Sequence, residues 1–425
     1  MKSKVKIDFG KTLTYAVWLV IALNFVFKLV LRIWINNPIG DEVFFIEEIE
    51  FVRDNGLWES FSSGTSHLYS MIGYLISLVM PNLLIGLRLF NIILSMAAFV
   101  IALSLIQRVT TNLIIRKISA ITMAYMIFCC KTGAMFFVAI NDALMVTIAL
   151  VTTLFLLKYL QTKRYKELMV TAIFSGLMFW VRSFSLLVFG GIILGIAVIP
   201  IMCSGISVWK NLVRTSVFIL ISVTVALLVQ IPSLIENKAI RFESKSRNQD
   251  WAAWNWLTHK ERIPSGSIFL YKRPPYDVVQ RYLDEHGSSS IPRSIIGRIK
   301  ADPKFAVDNL VSNLFVRLPF VLLTSSGMFF FGLLSILREP DRWRVRLKPQ
   351  SLALLSIFLS VSIGLSIYVN TNLEQRWLFI PAVMGILLGA GRMSELPEKS
   401  INKISVVQLL VLLLLSSASL TQVNV

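Results

Sequence analysis

Apolar runs of about 18 residues or more recur from one end of this sequence to the other, each long enough to cross a bilayer as a helix. No soluble fold absorbs so many continuous runs. Composition agrees: 55% of the 425 residues are hydrophobic, 16% are charged, and the mean hydropathy is +0.70. Soluble domains sit nearer about 45–50% apolar with about 25% charged. A β-barrel is excluded, because barrel strands are short and alternate in polarity. The chain is expected to be an all-α polytopic membrane protein of about eleven transmembrane helices. They are placed near 13–35, 85–107, 114–131, 142–160, 167–182, 184–203, 215–234, 317–337, 351–370, 377–391 and 404–421.

The formal net charge of +18 would point to nucleic acid in a soluble protein. Here the basic residues follow topology, and no nucleic-acid partner is expected. With the N-terminus in the cytoplasm, about twenty lysines and arginines fall on inside loops, among them Lys2, Lys4, Lys6, Arg116, Lys117, Arg342 and Arg346. The first outer segment, 36–84, carries seven acids against one base, Arg53. The basic N-terminus is followed by no small-residue cleavage site and reads as a retained first span. Cys129, Cys130 and Cys203 show neither a disulfide framework nor a zinc motif.

Two stretches are not simple spans. Within 36–84, "SHLYSMIGYLISLVMPN" is too short to cross and ends at Pro81, so it reads as an interfacial helix. Asp41, Glu42, Glu47, Glu48 and Glu50 interleave with apolar residues at near-helical spacing, which predicts a second helix lying on the membrane. The other stretch, 235–316, contains Trp251, Trp254 and Trp256 and turn punctuation at Pro274-Pro275. It is expected to form a small extracytoplasmic insert between an N-terminal transmembrane module, 1–234, and C-terminal transmembrane helices, 317–425. Its tryptophans suit either an interface belt or a sugar-stacking wall.

"GDEVFF" (Gly40–Phe45) resembles the acidic motif in the first extracytoplasmic loop of GT-C fold glycosyltransferases. The resemblance is nearest to the protein mannosyltransferase and aminoarabinose transferase branch, which uses polyprenyl-phosphate sugars. "TSHLYSMIGYLISLVMPNLLIGLRLF" is similar to that family's juxtamembrane helix followed by an arginine-initiated span. "AMFFVAINDALMVTIAL" resembles the span opening with the family's second acid, here Asp142. "GLMFWVRSFSLLVFGG" resembles a segment with a basic residue before Gly-Pro, although Ser183-Phe184 stands in the Gly-Pro place. "EQRWLFIPAVMGILLGAG" resembles the entry to a late span. The likeness covers about residues 10–205 and, more loosely, 370–392.

This resemblance implies transfer of a sugar from a polyprenyl-phosphate donor to a glycan, lipid or protein acceptor at the outer face of a plasma (inner) membrane. It makes Asp41 the general base, with Glu42 and Asp142 as further catalytic acids, and Arg182, Arg376 and Arg88 as phosphate-binding cations. His67, Tyr69, Trp251 and Trp254 are the candidate substrate contacts. No cofactor is indicated, and a divalent cation is left open. A transporter or flippase for a lipid-linked precursor, and an O-antigen polymerase or ligase, are the competing classes. Against the first stands the lack of internal repeats; against the second, the early acidic loop.

Structural explanations compete at each position. Asp41 and Glu42 can be solvated acids. Asp142 can cap a helix, though Asn141 can do the same. Arg182 needs a partner or access to the interface, because an uncompensated arginine in an apolar tract costs at least about 2.5 kcal/mol. Arg376 can pair with Glu374. Lys28, deep in the first span, requires an internal acid. The patterns Gly191-x-x-x-Gly195 and Gly385-x-x-x-Gly389 read as helix-packing sites.

Overall fold

The computed structural model describes residues 9–63, 66–240, 251–261, 263, 272, 274–292, 294–325, 327–332, 348–368 and 374–421, with no strand among them. α1 (Phe9–Trp34) leads to the turn that holds Asp41. α2 (Glu42–Ser63) and α3 (His67–Val79) lie at that end, and α4 (Leu83–Val109) returns. α5 (Leu113–Phe128) bends by 62° into a 3-10 turn, Lys131–Phe137. α6 (Asp142–Thr162) and α7 (Tyr165–Met178) follow as an antiparallel pair. α8 (Ser185–Ala197), α9 (Ile199–Ser204), α10 (Val208–Leu228) and α11 (Ile231–Asn237) complete this part.

Within 235–316 lie α12 (Trp251–Glu261), α13 (Tyr276–His286) and α14 (Ile295–Ala301). α12 and α13 enclose a small core of Ala253, Leu257, Val279 and Ile291. α15 (Pro303–Ser312) and α16 (Leu318–Ser325) run on through a π-helical turn, Asn313–Arg317. α17 (Pro349–Tyr368), the 3-10 turn Gln375–Leu378, α18 (Phe379–Met393) and α19 (Glu398–Thr421) close the bundle.

Nine helices among the described residues are long and apolar enough to cross a membrane, and the bent pair of α5 with its 3-10 turn makes a tenth. The expected span at 167–182 corresponds to α7, which has only 14 residues. It is shorter than the 21-residue α6 it packs against; Lys163 turns the chain between the two (φ 58°), and Arg182, beyond the end of α7, pairs with Asp142. The span expected at 317–337 starts earlier, since Pro303–Ser325 is one apolar helix. Asn309, Asn313 and Arg317 on this helix are buried and face the protein interior, while Lys304 and Asp308 near its start are exposed. Residues 333–337 lie outside the described residues.

The two helices of the first loop form as their patterns predict. In α2, Phe45, Ile49 and Val52 are buried while Glu47 and Glu50 are exposed. Gly56 interrupts that helix at φ 84°. α3 stops before Pro81, and Asn82 then caps α4 by accepting from Ile85 N at 3.1 Å. Small residues set the close helix crossings. A Cβ on Gly191 would lie 2.6 Å from Ile357 Cα, and one on Gly389 would lie 2.3 Å from Met328 O. Backbones that near exclude any side chain. Serines reinforce the α8–α17 contact: Ser356 Oγ donates to Gly191 O at 2.8 Å and Ser360 Oγ to Leu187 O at 2.6 Å.

Candidate active site

The turn between α1 and α2 is held by a buried arginine. Arg88 projects from α4, and its Nε and Nη2 donate to Glu42 Oε1 (2.8 Å) and Oε2 (2.6 Å). Its remaining N–H groups go to the carbonyls of Arg32 (2.7 Å), Ile35 and Asn37 (3.1 Å). Glu42 also accepts from Ile39 N (2.8 Å) and from Ala139 N (2.7 Å). Both side chains are fully buried, so the two charges are paired and hydrogen-bonded throughout, as burial at this depth requires. Gly40, at φ 58°, supplies the left-handed step that only glycine takes without strain. The next residue, Asp41, is thereby turned away from the clamp. Arg88, expected to bind phosphate, and Glu42, expected as a further catalytic acid, bond each other and the backbone of this turn.

Asp41 meets a second set of charges. Arg376, from the 3-10 turn before α18, donates through Nη2 to Asp41 Oδ2 at 2.5 Å. Its Nε lies 2.5 Å from Glu374 Oε2 and 3.4 Å from Asp142 Oδ2. Asp142 in turn forms an ion pair with Arg182. Four residues predicted for the site therefore form one chain of charges: Asp41, Arg376, Asp142 and Arg182. Asp41 and Arg376 are partly accessible, with side chains 25% and 17% exposed, whereas Asp142 and Arg182 are buried at 3% and 5%. The accessible end is the aspartate that follows α1.

Local structure explains the buried end. Asp142 is the first residue of α6, but Asn141 makes no capping bond. Instead Asn141 Nδ2 donates to Ser66 Oγ (2.9 Å) and Val181 O (3.0 Å), joining the start of α3 to the bend that carries Arg182. Leu68 N donates to Trp180 O at 2.9 Å in the same seam. The Arg182 guanidinium lies over the rings of Phe184 (4.9 Å) and Trp377 (5.6 Å), a cation–π arrangement that suits a weakly hydrated cation. Sequence reasoning missed Trp377, Asn141 and Ser66. Each lies beside or between predicted residues, and only adjacency could have flagged them.

The remaining candidates fall elsewhere. Tyr69 is fully buried against Phe45 (5.4 Å between ring centres) and belongs to the core. Trp254 donates to Pro274 O (2.7 Å) and packs edge-on to Tyr276, within the insert's own small core. The side chain of Trp251 lies outside the described residues. His67 is buried edge-on to Phe61 (4.9 Å), and burial pushes its pKa down from 6.5 to about 4. It is therefore neutral when folded and takes up a proton near 6.5 when unfolded, so its contribution to stability is complete above about pH 6.5 and declines as pH falls toward 4. His67→Phe is expected to flatten the fall in melting temperature between pH 6.5 and 4; an unchanged slope would assign that fall to other groups.

Among the described residues Lys28 pairs with no acid. Its Nζ donates to Cys129 O (2.7 Å), a carbonyl exposed where α5 breaks, and lies 5.5 Å from the centre of the Phe137 ring. Among the described residues no three His, Cys, Asp or Glu side chains converge as metal ligands. Asp41, Asp142 and Glu374 converge on a guanidinium instead.

The arrangement of helices is shared with a known enzyme. The chain aligns with the apo oligosaccharyltransferase of Archaeoglobus fulgidus at a TM-score of 0.53 and 12% identity, over 98% of this chain and 56% of that one. The zinc- and sulfate-bound form of that enzyme aligns at a TM-score of 0.47 and 14% identity, over 83% of this chain and 44% of that one. The chain thus spans little more than half the length of that protein. No protein-family model matches the sequence, and no curated protein is similar to it. At this identity the likeness is one of fold: the chain is a multi-pass membrane protein with a GT-C fold, as its motifs predicted.

Proposed function

We propose that this chain is a membrane glycosyltransferase that moves a sugar from a polyprenyl-phosphate donor to an acceptor at the extracytoplasmic face of a plasma (inner) membrane. The observation that carries the reading is the convergence of Asp41, Asp142, Arg182 and Arg376 on one ion-pair chain at one end of the bundle, with Asp41 its accessible member. The fold shared with an oligosaccharyltransferase supports the class. In the reaction, an acceptor hydroxyl or similar nucleophile attacks the anomeric carbon and forms the new bond. The bond from that carbon to the phosphate oxygen breaks, and polyprenyl phosphate departs. Asp41 takes the acceptor's proton. Arg376 orients the Asp41 carboxylate, while Arg182 and Asp142 brace Arg376 from within. Binding energy spent on this orientation favours the transition state more than the ground state.

The test is transfer itself. Full-length protein in liposomes, given a polyprenyl-phosphate sugar and an acceptor-bearing membrane extract, is expected to release polyprenyl phosphate and yield a covalent glycosylated product. Counterflow of the intact lipid-linked sugar, with no covalent product, would overturn the reading in favour of a transporter.

A further inference from the structure

A cavity of about 400 Å³ lies beside the ion-pair chain, bounded by α1, the break after α5, α16, α19 and the turn at Gln375. Its wall holds three cations, Lys28, Arg32 and Lys131, and no carboxylate. Among the described residues none of the three makes an ion pair. Lys28 is met only by a carbonyl and a ring, and Arg32 Nη1 is buried without a hydrogen-bond partner. Glu42 lies nearby, but its charge is taken up by Arg88. Lys28 and Arg32 are half-buried in the first span and Lys131 is exposed; lysines and arginines within a span without counter-ions are costly, and they mark sites where an anion is received.

The neighbouring charges oppose an anion. Among the described residues, the two guanidinium groups of Arg376 and Arg182 face the three carboxylates of Asp41, Asp142 and Glu374. A phosphate placed there would meet net repulsion; in the cavity it meets three unpaired cations. The two places are one residue apart along the chain, because Gln375 lines the cavity and Arg376 bonds Asp41. The rest of the lining is mixed, with Leu31, Phe137 and Leu415 beside Thr324, Gln375 and Ser419. At its margin Phe320 and Ala418 are exposed on the bundle surface, where a membrane protein meets lipid. An anion carried on a hydrocarbon chain fits such a margin better than a soluble one.

We infer that Lys28, Arg32 and Lys131 hold the phosphate of a polyisoprenyl-phosphate ligand, and that Arg376 and Arg182 do not. This rests on the glycosyltransferase reading and names the part of the site that takes the lipid phosphate. Binding to the full chain in detergent is measured by native mass spectrometry with a long-chain polyisoprenyl monophosphate, and competed with the matching polyprenol, inorganic phosphate and phosphatidylglycerol. The monophosphate is expected to bind at least about tenfold more tightly than the alcohol, the worth of one charge-assisted hydrogen bond. The K28M/K131M double variant is expected to lose about tenfold or more of that preference while binding the alcohol as before. Asp41→Asn is expected to bind the monophosphate normally. Unchanged monophosphate binding by K28M/K131M, in protein that still transfers sugar, would overturn the inference and leave the enzyme assignment standing. Equal competition by inorganic phosphate would make this a soluble-anion site, and by phosphatidylglycerol a bulk-lipid site; either result overturns it. Full transfer by Asp41→Asn would instead strike at the enzyme mechanism.

Discussion

Replacing Asp41 by asparagine is expected to lower sugar transfer by about 10²–10⁴-fold, the usual worth of a positioned general base, and to leave membrane insertion unchanged. The fold should tolerate the change. Asp41 is the most accessible member of the ion-pair chain, and without its charge Arg376 keeps Glu374 and Asp142 as partners. Asparagine preserves the side chain's shape and can still accept a hydrogen bond from Arg376, so the lost element is the capacity to take a proton. Transfer is read as polyprenyl phosphate released per mole of protein extracted from membranes, with extraction yield as the control. An Asp41→Asn protein of normal yield and full activity would remove the base from the mechanism.

The second large effect concerns stability. Arg88→Met is expected to cost about 3–5 kcal/mol, because it removes the guanidinium that pairs with the buried Glu42 carboxylate. It also leaves the carbonyls of Arg32, Ile35 and Asn37 without their donor. The visible result would be a large fall in melting temperature in detergent, or loss of the monodisperse protein. Adding Glu42→Gln to Arg88→Met is expected to recover part of the loss, since the uncompensated charge is then gone while one of Ile39 N and Ala139 N, which bond different carboxylate oxygens, keeps its acceptor. Were Arg88→Met to melt like the parent and merely lose activity, Arg88 would belong to the substrate and not to the α1–α2 turn.

Much of this architecture is legible in the sequence, because burial in lipid leaves long apolar runs that nothing else requires. The first-loop helices were readable for the related reason that their runs are too short to cross. The ion-pair chain was half legible. Asp41, Asp142, Arg182 and Arg376 stand out as charges at the edges of apolar tracts, but which base meets which acid is decided by helix packing between residues up to 335 positions apart. Asp41 and Glu42 carry identical chemistry one residue apart, and a turn of backbone at Gly40 sends one to the rim and the other to Arg88. Tyr69 and Trp254 show the matching limit for aromatics: a ring's composition does not reveal whether its face meets a ligand or a core. Lys28 shows another, since its partner is a carbonyl that becomes available only where α5 is broken.

The Glu42 carboxylate receives donors from the α1–α2 turn, from α4 and from Ala139, three residues ahead of Asp142. One buried group therefore holds together the backbone that carries Asp41 and the backbone that leads to Asp142, with no ion pair to either acid. The turn Gln375–Leu378 is fastened to this backbone through Arg376, whose ion pairs can exchange among three carboxylates without leaving any charge stranded. The spacing of the two aspartates is thus set from behind, by the backbone that Glu42 holds, and not by the ion pairs the aspartates themselves make.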